Sequence, residues 1–454
     1  MERTFLELLE PERVERHLPD KKPLMTAAEA SAESERCLYC TDAPCIKACP
    51  TEIDIPTFIK KIATGNVRGS ARTIFEQNLL GYSCARVCPV EVLCEGSCVY
   101  QGWTKSPIKI GRLQRFATEH GGHVASADGE RATTVFTPKA ATPRSKRVAC
   151  IGAGPASLAF AGYLALEGHH AVVFEKRALP GGLNTTGVAP YKLHADDALR
   201  EVEWVRALGV EIRTGVELGK RGTSVTGDKL LHEYDALFIG VGLGDDSKLG
   251  VPGEDGPGVV GATAWIEAMK LEANTHAPKP KLGKVLVIGG GNTAIDVARE
   301  CALLGADEVM MAYRRGADEM SGYAHELDGG RKEGVRFLTH VQPVGFVRDA
   351  DGILRGVTFL KTEGGRAVLG TEHDVACDFV ALAIGQSKLR AVASELPGVA
   401  LDARGCVVAD PSTGVTGNPK VFSGGDCVNG GKEVVNAVAD GRNAARFLMA
   451  KWAT

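Results

Sequence analysis

Two stretches of this chain share one local plan, and that repetition limits the folds open to it more than any other feature. Residues 147–176, RVACIGAGPASLAFAGYLALEGHHAVVFEK, and residues 284–315, KVLVIGGGNTAIDVARECALLGADEVMMAYRR, each read as strand, glycine turn, helix, strand. A strand that returns parallel to itself through a helix needs a sheet covered on both faces. The two copies start about 135 residues apart, too far for one unit, so the chain is expected to be α/β with two separate doubly wound domains. Glycine reaches 55 of 454 residues, but apolar residues make up 44%, so the excess reports tight turns rather than disorder.

The turns themselves carry chemistry. In the first, Gly152 allows a sharp bend, Gly154 lets backbone approach a pyrophosphate, and Ser157 is small enough for close helix–strand packing. The helix that follows points its amide end at the phosphates. Glu175 closes the second strand about 20 residues on, where an acid accepts from ribose hydroxyls. The second turn has Gly289, Gly291 and Ala294, but its second strand ends in Arg314 and Arg315 with no acid. Arginines there favour a ribose 2′-phosphate, so the residues lean towards NADPH over NADH without deciding between them. A third turn, Gly424-Gly425-Asp426, precedes the last helix and offers one carboxylate to a ribityl or ribose hydroxyl.

Eight of thirteen cysteines lie between Cys37 and Cys98, as Cys37-x2-Cys40-x4-Cys45-x3-Cys49-Pro50 and Cys84-x3-Cys88-Pro89-x4-Cys94-x3-Cys98. Crowded thiols in a reducing compartment mean metal rather than disulfides. Two closely spaced runs, each containing a Cys-Pro step, suit two 4Fe–4S clusters, with structural zinc as the alternative. Histidines such as His194, His325 and His373 read as surface or core residues rather than ligands.

The remaining features set limits. The formal charge of −3 excludes a nucleic-acid or membrane-surface binder driven by bulk charge. No apolar run approaches the ~20 residues of a membrane span, and the charged start MERTFLELLEPERVERHLPD has no signal-peptide core; a cytoplasmic location is expected. Residues 1–36 read as helical, the segment after Cys49 as two helices broken at Gly65 and Asn66, and residues 121–147 as a linker. The domains are expected at 1–130 (helical, with both clusters), 146–270 (first part of a flavin domain), 271–400 (nicotinamide nucleotide domain) and 401–454 (return to the flavin domain).

With these pieces together, the chain resembles the flavin-containing electron-input module shared by dihydropyrimidine dehydrogenase and the small subunit of bacterial glutamate synthase. Three motifs resemble the dihydropyrimidine branch, and there the NAD(P)H-oxidising subunits of the bacterial enzymes: PIKIGRLQRFATEH from Pro107, which contains Gln114; Phe238-Ile-Gly-Val-Gly-Leu243; and Gly181-Gly182-Leu183-Asn-Thr-Thr. The resemblance implies a helical domain with two 4Fe–4S clusters, then an FAD domain with an NAD(P)H domain inserted in it. It implies one cluster on Cys37, Cys40, Cys45 and Cys98, and another on Cys49, Cys88, Cys94 and Gln114, with Cys84 a bystander. It implies FAD at Gly152, Ala153, Gly154, Pro155, Ala156, Ser157, Glu175, Lys176, Gly182, Leu183, Lys192, Gly425 and Asp426. NAD(P)H would meet Gly289, Gly291, Asn292, Thr293, Ala294, Ile295, Arg314, Arg315, Ala383, Ile384 and Gly385.

The function so implied is electron input: a hydride from NADH or NADPH enters FAD, and the clusters carry single electrons to a partner. That partner would be an FMN- and iron–sulfur-containing catalytic subunit in a hetero-oligomer, since the chain ends at Thr454 without an FMN barrel. No side-chain acid or base is required for hydride transfer, so no catalytic residue is assigned. A stand-alone disulfide reductase would need a cysteine pair near the flavin, and no Cys-x-x-Cys follows Cys98.

Overall fold

The computed structural model describes residues 4–122, 135–219, 225–272, 282–388 and 390–453. The expected linker therefore lies partly outside the described residues, at 123–134, as does the expected boundary at 130.

The N-terminal part is helical. Asp54 and Asn66 accept from the backbone amides of Thr57 and Gly69 (3.1 and 2.9 Å), which starts the helices Ile55–Ala63 and Val67–Gln77. Gly65, at φ +78°, makes the break between them. Their apolar faces meet Leu113, Phe116 and Ala117 of the helix Ile110–Gly121 in one core, and Cys37, Cys45, Cys49, Cys94 and Cys98 pack against it. The first residues depart from the expected helix. Phe5–Leu8 and Val14–His17 are single 3-10 turns on either side of Pro11, whose ring and missing N–H end helical hydrogen bonding. Ala27–Glu35 is helical and is opened by a Thr26–Glu29 capping box.

Two all-parallel five-stranded sheets follow. One is built from β1 (Arg147–Ile151), β2 (His170–Phe174), β3 (Glu211–Arg213), β4 (Ala236–Ile239) and β14 (Val421–Ser423), in the order β14-β4-β1-β2-β3. The other contains β5 (Val259–Gly261), β6 (Lys284–Ile288), β7 (Glu308–Tyr313), β8 (Arg336–Thr339) and β13 (Phe379–Leu382), in the order β5-β13-β6-β7-β8. Between β8 and β13 lies an antiparallel sheet of β9 (Val341–Arg348), β10 (Leu354–Glu363), β11 (Arg366–Ala367) and β12 (His373–Ala376). The chain leaves the first sheet after β4 and returns in β14, so the second unit is inserted in the first.

The insertion starts and ends earlier than 271 and 400. β5 and the helix Ala262–Leu271 belong to the second sheet, with Trp265, Ile266 and Met269 in its core. Leu396 already packs in the core of the first. Both crossings hold positive-φ glycines (Gly253 and Gly258 before the first, Gly398 at the second), but such glycines recur along the whole chain, so they did not single the crossings out. The helical part is fused to the first unit by a continuous core, in which Phe75 stacks on fully buried Trp204 at 4.5 Å, a contact worth about 0.5–1.5 kcal/mol beyond area burial.

Candidate functional site

The first glycine turn is forced by close approach. Gly152 sits at φ +86°, and a Cβ there would stand 2.8 Å from the carbonyl oxygen of Gly240. Across the turn, Gly182 (φ +57°) brings its backbone so near that a Cβ would lie 2.9 Å from the Cα of Gly154. These glycines, Ala153, Pro155, Ala156, Glu175, Lys176, Leu183 and the turn Gly240–Gly244 line one cavity, which reaches Gly425 and Asp426 on its far side. The helix Pro155–Leu166 aims its first amides into that cavity.

Glu175 is fixed at the turn: Oε2 accepts from the Ala153 amide (2.7 Å) and Oε1 from the Arg177 amide (2.9 Å). Asp426 accepts from the Lys432 amide (3.1 Å), and burial pushes its carboxyl above the usual range. Asn184 Oδ1 is buried at the same cavity with no partner among the described residues. An unpaired buried acceptor beside a glycine cradle fits a polar, flat ligand better than an apolar one. Ser157 does not line the cavity. It is buried behind the turn, where Gly240 has no room for a Cβ (2.2 Å from Ser157 Oγ), and its part is packing. Lys192 lines the cavity, but its ammonium is paired with Asp296 (2.6 Å) and Glu326 (3.1 Å) rather than free for a phosphate.

A second cavity lies over the carboxyl ends of β6, β7 and β13. Gly289, Gly291, Thr293, Arg314, Ala383, Ile384 and Gly385 line it, joined by Asp246, Thr263 and Gln386, which sequence reasoning missed. Asn292 instead faces the first cavity and accepts from the Tyr323 amide (2.9 Å). Ala294 and Ile295 are buried in the core beneath the turn, and the Ile295 amide already donates to the Gly291 carbonyl (3.2 Å), so their side chains serve packing. Arg315 turns away: it donates to the Tyr313 hydroxyl (2.8 Å), lies 3.8 Å from Glu319, and leaves Arg314 as the cavity's arginine. The two cavities share Thr263, Thr293, Gly385 and Gln386, so they lie side by side with these residues at their junction.

The first cavity also reaches Val87 and Pro89, the residues on either side of Cys88. Cys37, Cys40, Cys45 and Cys98 line a separate small cavity walled by Ile55, Ile59, Ile108 and Ile110. Burial, then the neighbouring Cys37 and Cys98 sulfurs, push the Cys45 thiol up to about 12. Burial pushes the Cys94 thiol well up, and Glu95, Cys88, Cys49 and Cys45 add to it. The thiols therefore fall into two groups that meet at Cys45 and Cys94. Sulfurs so reluctant to ionise need a cationic centre to become thiolate ligands. Among the described residues no three Cys, His, Asp or Glu side chains gather about a single ion. Gln114 is buried, with Nε2 donating to the Gly81 carbonyl (2.8 Å), and Oε1 accepts no hydrogen bond from the described residues. Cys84 is buried too, and its hydrogen bond is the main cause of the raised Cys88 thiol. His325 bridges units instead of ligating, with Nε2 3.3 Å from Glu91.

Residues 146–441 match the model of the pyridine nucleotide-disulphide oxidoreductases, and residues 15–124 match that of dihydropyrimidine dehydrogenase domain II, 4Fe-4S cluster. The chain belongs to this family of iron–sulfur flavoproteins. As members of the family do, it uses FAD, NAD(P)H and 4Fe–4S chemistry, and it is an NAD(P)H-dependent electron-transfer oxidoreductase. It is 33% identical to the glutamate synthase [NADPH] small chain of Escherichia coli K12, over 99% of both chains. It is 34% identical to the NAD-dependent dihydropyrimidine dehydrogenase subunit PreT of the same strain, over 95% of this chain and 96% of that one. The putative oxidoreductase AegA, also from that strain, is 35% identical over 93% of this chain and 66% of its own length. Among solved structures, the thioredoxin reductase of T. acidophilum superposes with a TM-score of 0.55 at 22% identity, covering 68% of this chain and all of that one. That likeness concerns the fold. Cys150, Cys301, Cys377, Cys406 and Cys427 are each buried and free of disulfides, and no helix among the described residues is long and apolar enough to cross a membrane.

Proposed function

We propose that the chain is the electron-input subunit of a dihydropyrimidine dehydrogenase, feeding a partner that reduces uracil or thymine to the 5,6-dihydropyrimidine. The observation that carries the electron route is the order of the sites: the nucleotide cavity borders the flavin-side cavity at four shared residues, and that cavity reaches the residues flanking Cys88. In this reading, the expected FAD and NAD(P)H residues keep their roles with four refinements. Ser157, Ala294 and Ile295 act through packing, and Lys192 through its ion pairs. Asn292 faces the flavin, and Arg314 is the arginine that meets the coenzyme. One cluster is held by Cys49, Cys88, Cys94 and Gln114 beside the flavin, and the other by Cys37, Cys40, Cys45 and Cys98 farther out. When bound, FAD would supply hydride acceptance and one-electron donation, and the clusters would supply the one-electron relay. The chain's residues supply position: Glu175 and the two glycine turns hold the backbone open, while Thr263, Thr293, Gly385 and Gln386 set the junction where donor and acceptor meet.

The dihydropyrimidine assignment rests on the Gln114 segment and the Phe238–Leu243 turn, with support from the PreT relative. A second reading, the glutamate synthase small chain, is favoured by end-to-end similarity to that subunit. Both partners can be offered to the purified chain. NAD(P)H consumption that requires uracil and an FMN-bearing dehydrogenase subunit supports the first reading. Consumption that requires glutamine, 2-oxoglutarate and a glutamate synthase large chain would overturn it.

The arginines make a separable prediction. Arg314→Ala is expected to raise the KM for NADPH roughly tenfold, the worth of one charge-assisted contact to a 2′-phosphate, and to leave that for NADH within about twofold. Arg315→Ala is expected to change neither much. Steady-state kinetics with both coenzymes decide it, and equal rises for NADPH and NADH in Arg314→Ala would remove the 2′-phosphate role.

A further inference from the structure

Lys270 lies at the end of the helix Ala262–Leu271, in the nucleotide unit, and is fully buried. Its ammonium donates to three carbonyls of the flavin unit, those of Asn184 (2.8 Å), Val188 (3.0 Å) and Leu193 (2.8 Å). An ammonium has three donors, and all are spent on one loop. No other hydrogen bond among the described residues satisfies those carbonyls. The loop, residues 182–193, presents Leu183, Asn184, Val188 and Lys192 to the flavin-side cavity. It is latched a second time to the nucleotide unit, where the Tyr191 hydroxyl donates to Asp296 (2.8 Å) and Lys192 pairs with that same carboxylate.

We propose that Lys270 is a positioning residue for hydride transfer: by gripping three carbonyls of the 182–193 loop from the nucleotide unit, it fixes the wall of the flavin site relative to the coenzyme site. Two cavities on separately folded sheets hold donor and acceptor, so their spacing depends on what ties the sheets together. A displacement of about 1 Å between reacting groups can cost on the order of a hundredfold in rate. A buried lysine is an expensive tie, because its charge leaves water. Burial pulls its ammonium down to about 8, against the opposing pull of the Glu15, Glu300 and Asp197 carboxyls. The three carbonyls offset that cost by direct contact.

This inference rests on the assignment of the loop to FAD. Lys270→Met keeps an unbranched side chain as far as the ε position and removes every donor. In the FAD-loaded protein without coenzyme, hydrogen exchange of amides 184–194 is expected to quicken by roughly tenfold or more, while exchange in β1 and β6 stays as in the wild type. In dye-coupled assays kcat is expected to fall roughly tenfold with KM for the coenzyme within about twofold, and Lys270→Arg is expected to recover part of it. Wild-type loop exchange and wild-type kcat in Lys270→Met would overturn the proposal. So would general loss of protection across the chain with kcat per bound FAD unchanged, since that marks a structural role only. If Lys270→Met does not fold, Lys270→Gln, which keeps two donors, is judged by the same two readouts. Absence of FAD from the wild-type protein would instead defeat the assignment on which the inference rests.

Discussion

Gly182→Val is expected to leave the chain without FAD and without NAD(P)H oxidation. Gly182 has φ +57° and ψ −140°, a region essentially closed to residues with a side chain, so substitution stores about 1–3 kcal/mol of strain. The new Cβ would also stand 2.9 Å from the Cα of Gly154 and 3.6 Å from its amide nitrogen. Both are backbone atoms of the phosphate turn, and no side chain can swing aside to make room. The valine methyls would then occupy the cradle between Gly154 and Pro155. Flavin absorbance per protein is expected to fall at least roughly tenfold, equivalent to about 1.4 kcal/mol of binding or more. Gly182→Ala should fall between. Gly102→Ala, which has open space around its Cβ, is the control and should keep its flavin. Full flavin occupancy in Gly182→Val would mean that the cavity is not the FAD site.

The second large effect separates two ligand sets that cysteine spacing alone leaves open. Eight cysteines can make two four-thiolate clusters, with Cys84 as a ligand. The family resemblance puts Gln114 in its place. Gln114 has its amide nitrogen tied to Gly81 and its oxygen accepting no hydrogen bond from the described residues, as a ligand from that side chain requires. Cys84 lies one helical turn before Cys88 and is hydrogen-bonded to it, so proximity does not exclude it. An amide oxygen is neutral, and a cluster with three thiolates carries one less negative charge, which by itself raises its potential. Gln114→Ala is expected to cut iron from about eight to about four per chain, or to alter one cluster's paramagnetic resonance signal, while FAD stays bound. Cys84→Ser is expected to keep the full iron content and near-normal dye reduction. The opposite pattern would establish the eight-cysteine arrangement.

What was legible in the sequence was what depends on short spacing. Gly152, Gly154 and Glu175 act through one strand–turn–helix–strand unit, so their roles follow from residues within about 25 positions of each other. The cysteine runs are equally local, and so is the helix break at Gly65. The first 17 residues misled because their helical spacing ignores Pro11. Arg315 misled for a different reason: a charge at a strand end has two ways to turn, and the Tyr313 hydroxyl and Glu319 take this one. The domain crossings near 259 and 396, the ion pairs of Lys192 with Asp296 and Glu326, and the grip of Lys270 join residues about 80 to 130 positions apart. They exist only once two sheets are packed against each other, and no periodicity in the chain encodes that packing.

In the proposed route electrons leave the flavin site through the cluster beside it, and Cys88 is the residue at which that route is most directly tested. Cys88→Ser should be loaded with FAD, reduced anaerobically with one equivalent of NAD(P)H, and mixed in a stopped-flow instrument with a one-electron protein acceptor too large to enter the cavity. Flavin reduction by the coenzyme is expected to proceed within about twofold of the wild-type rate, because the nucleotide junction at Thr263, Thr293, Gly385 and Gln386 is untouched. Flavin reoxidation by the acceptor is expected to slow by roughly a hundredfold or more, because Cys88, the proposed cluster ligand between Val87 and Pro89, is gone. Reoxidation at the wild-type rate, with the iron of that cluster absent, would contradict the route.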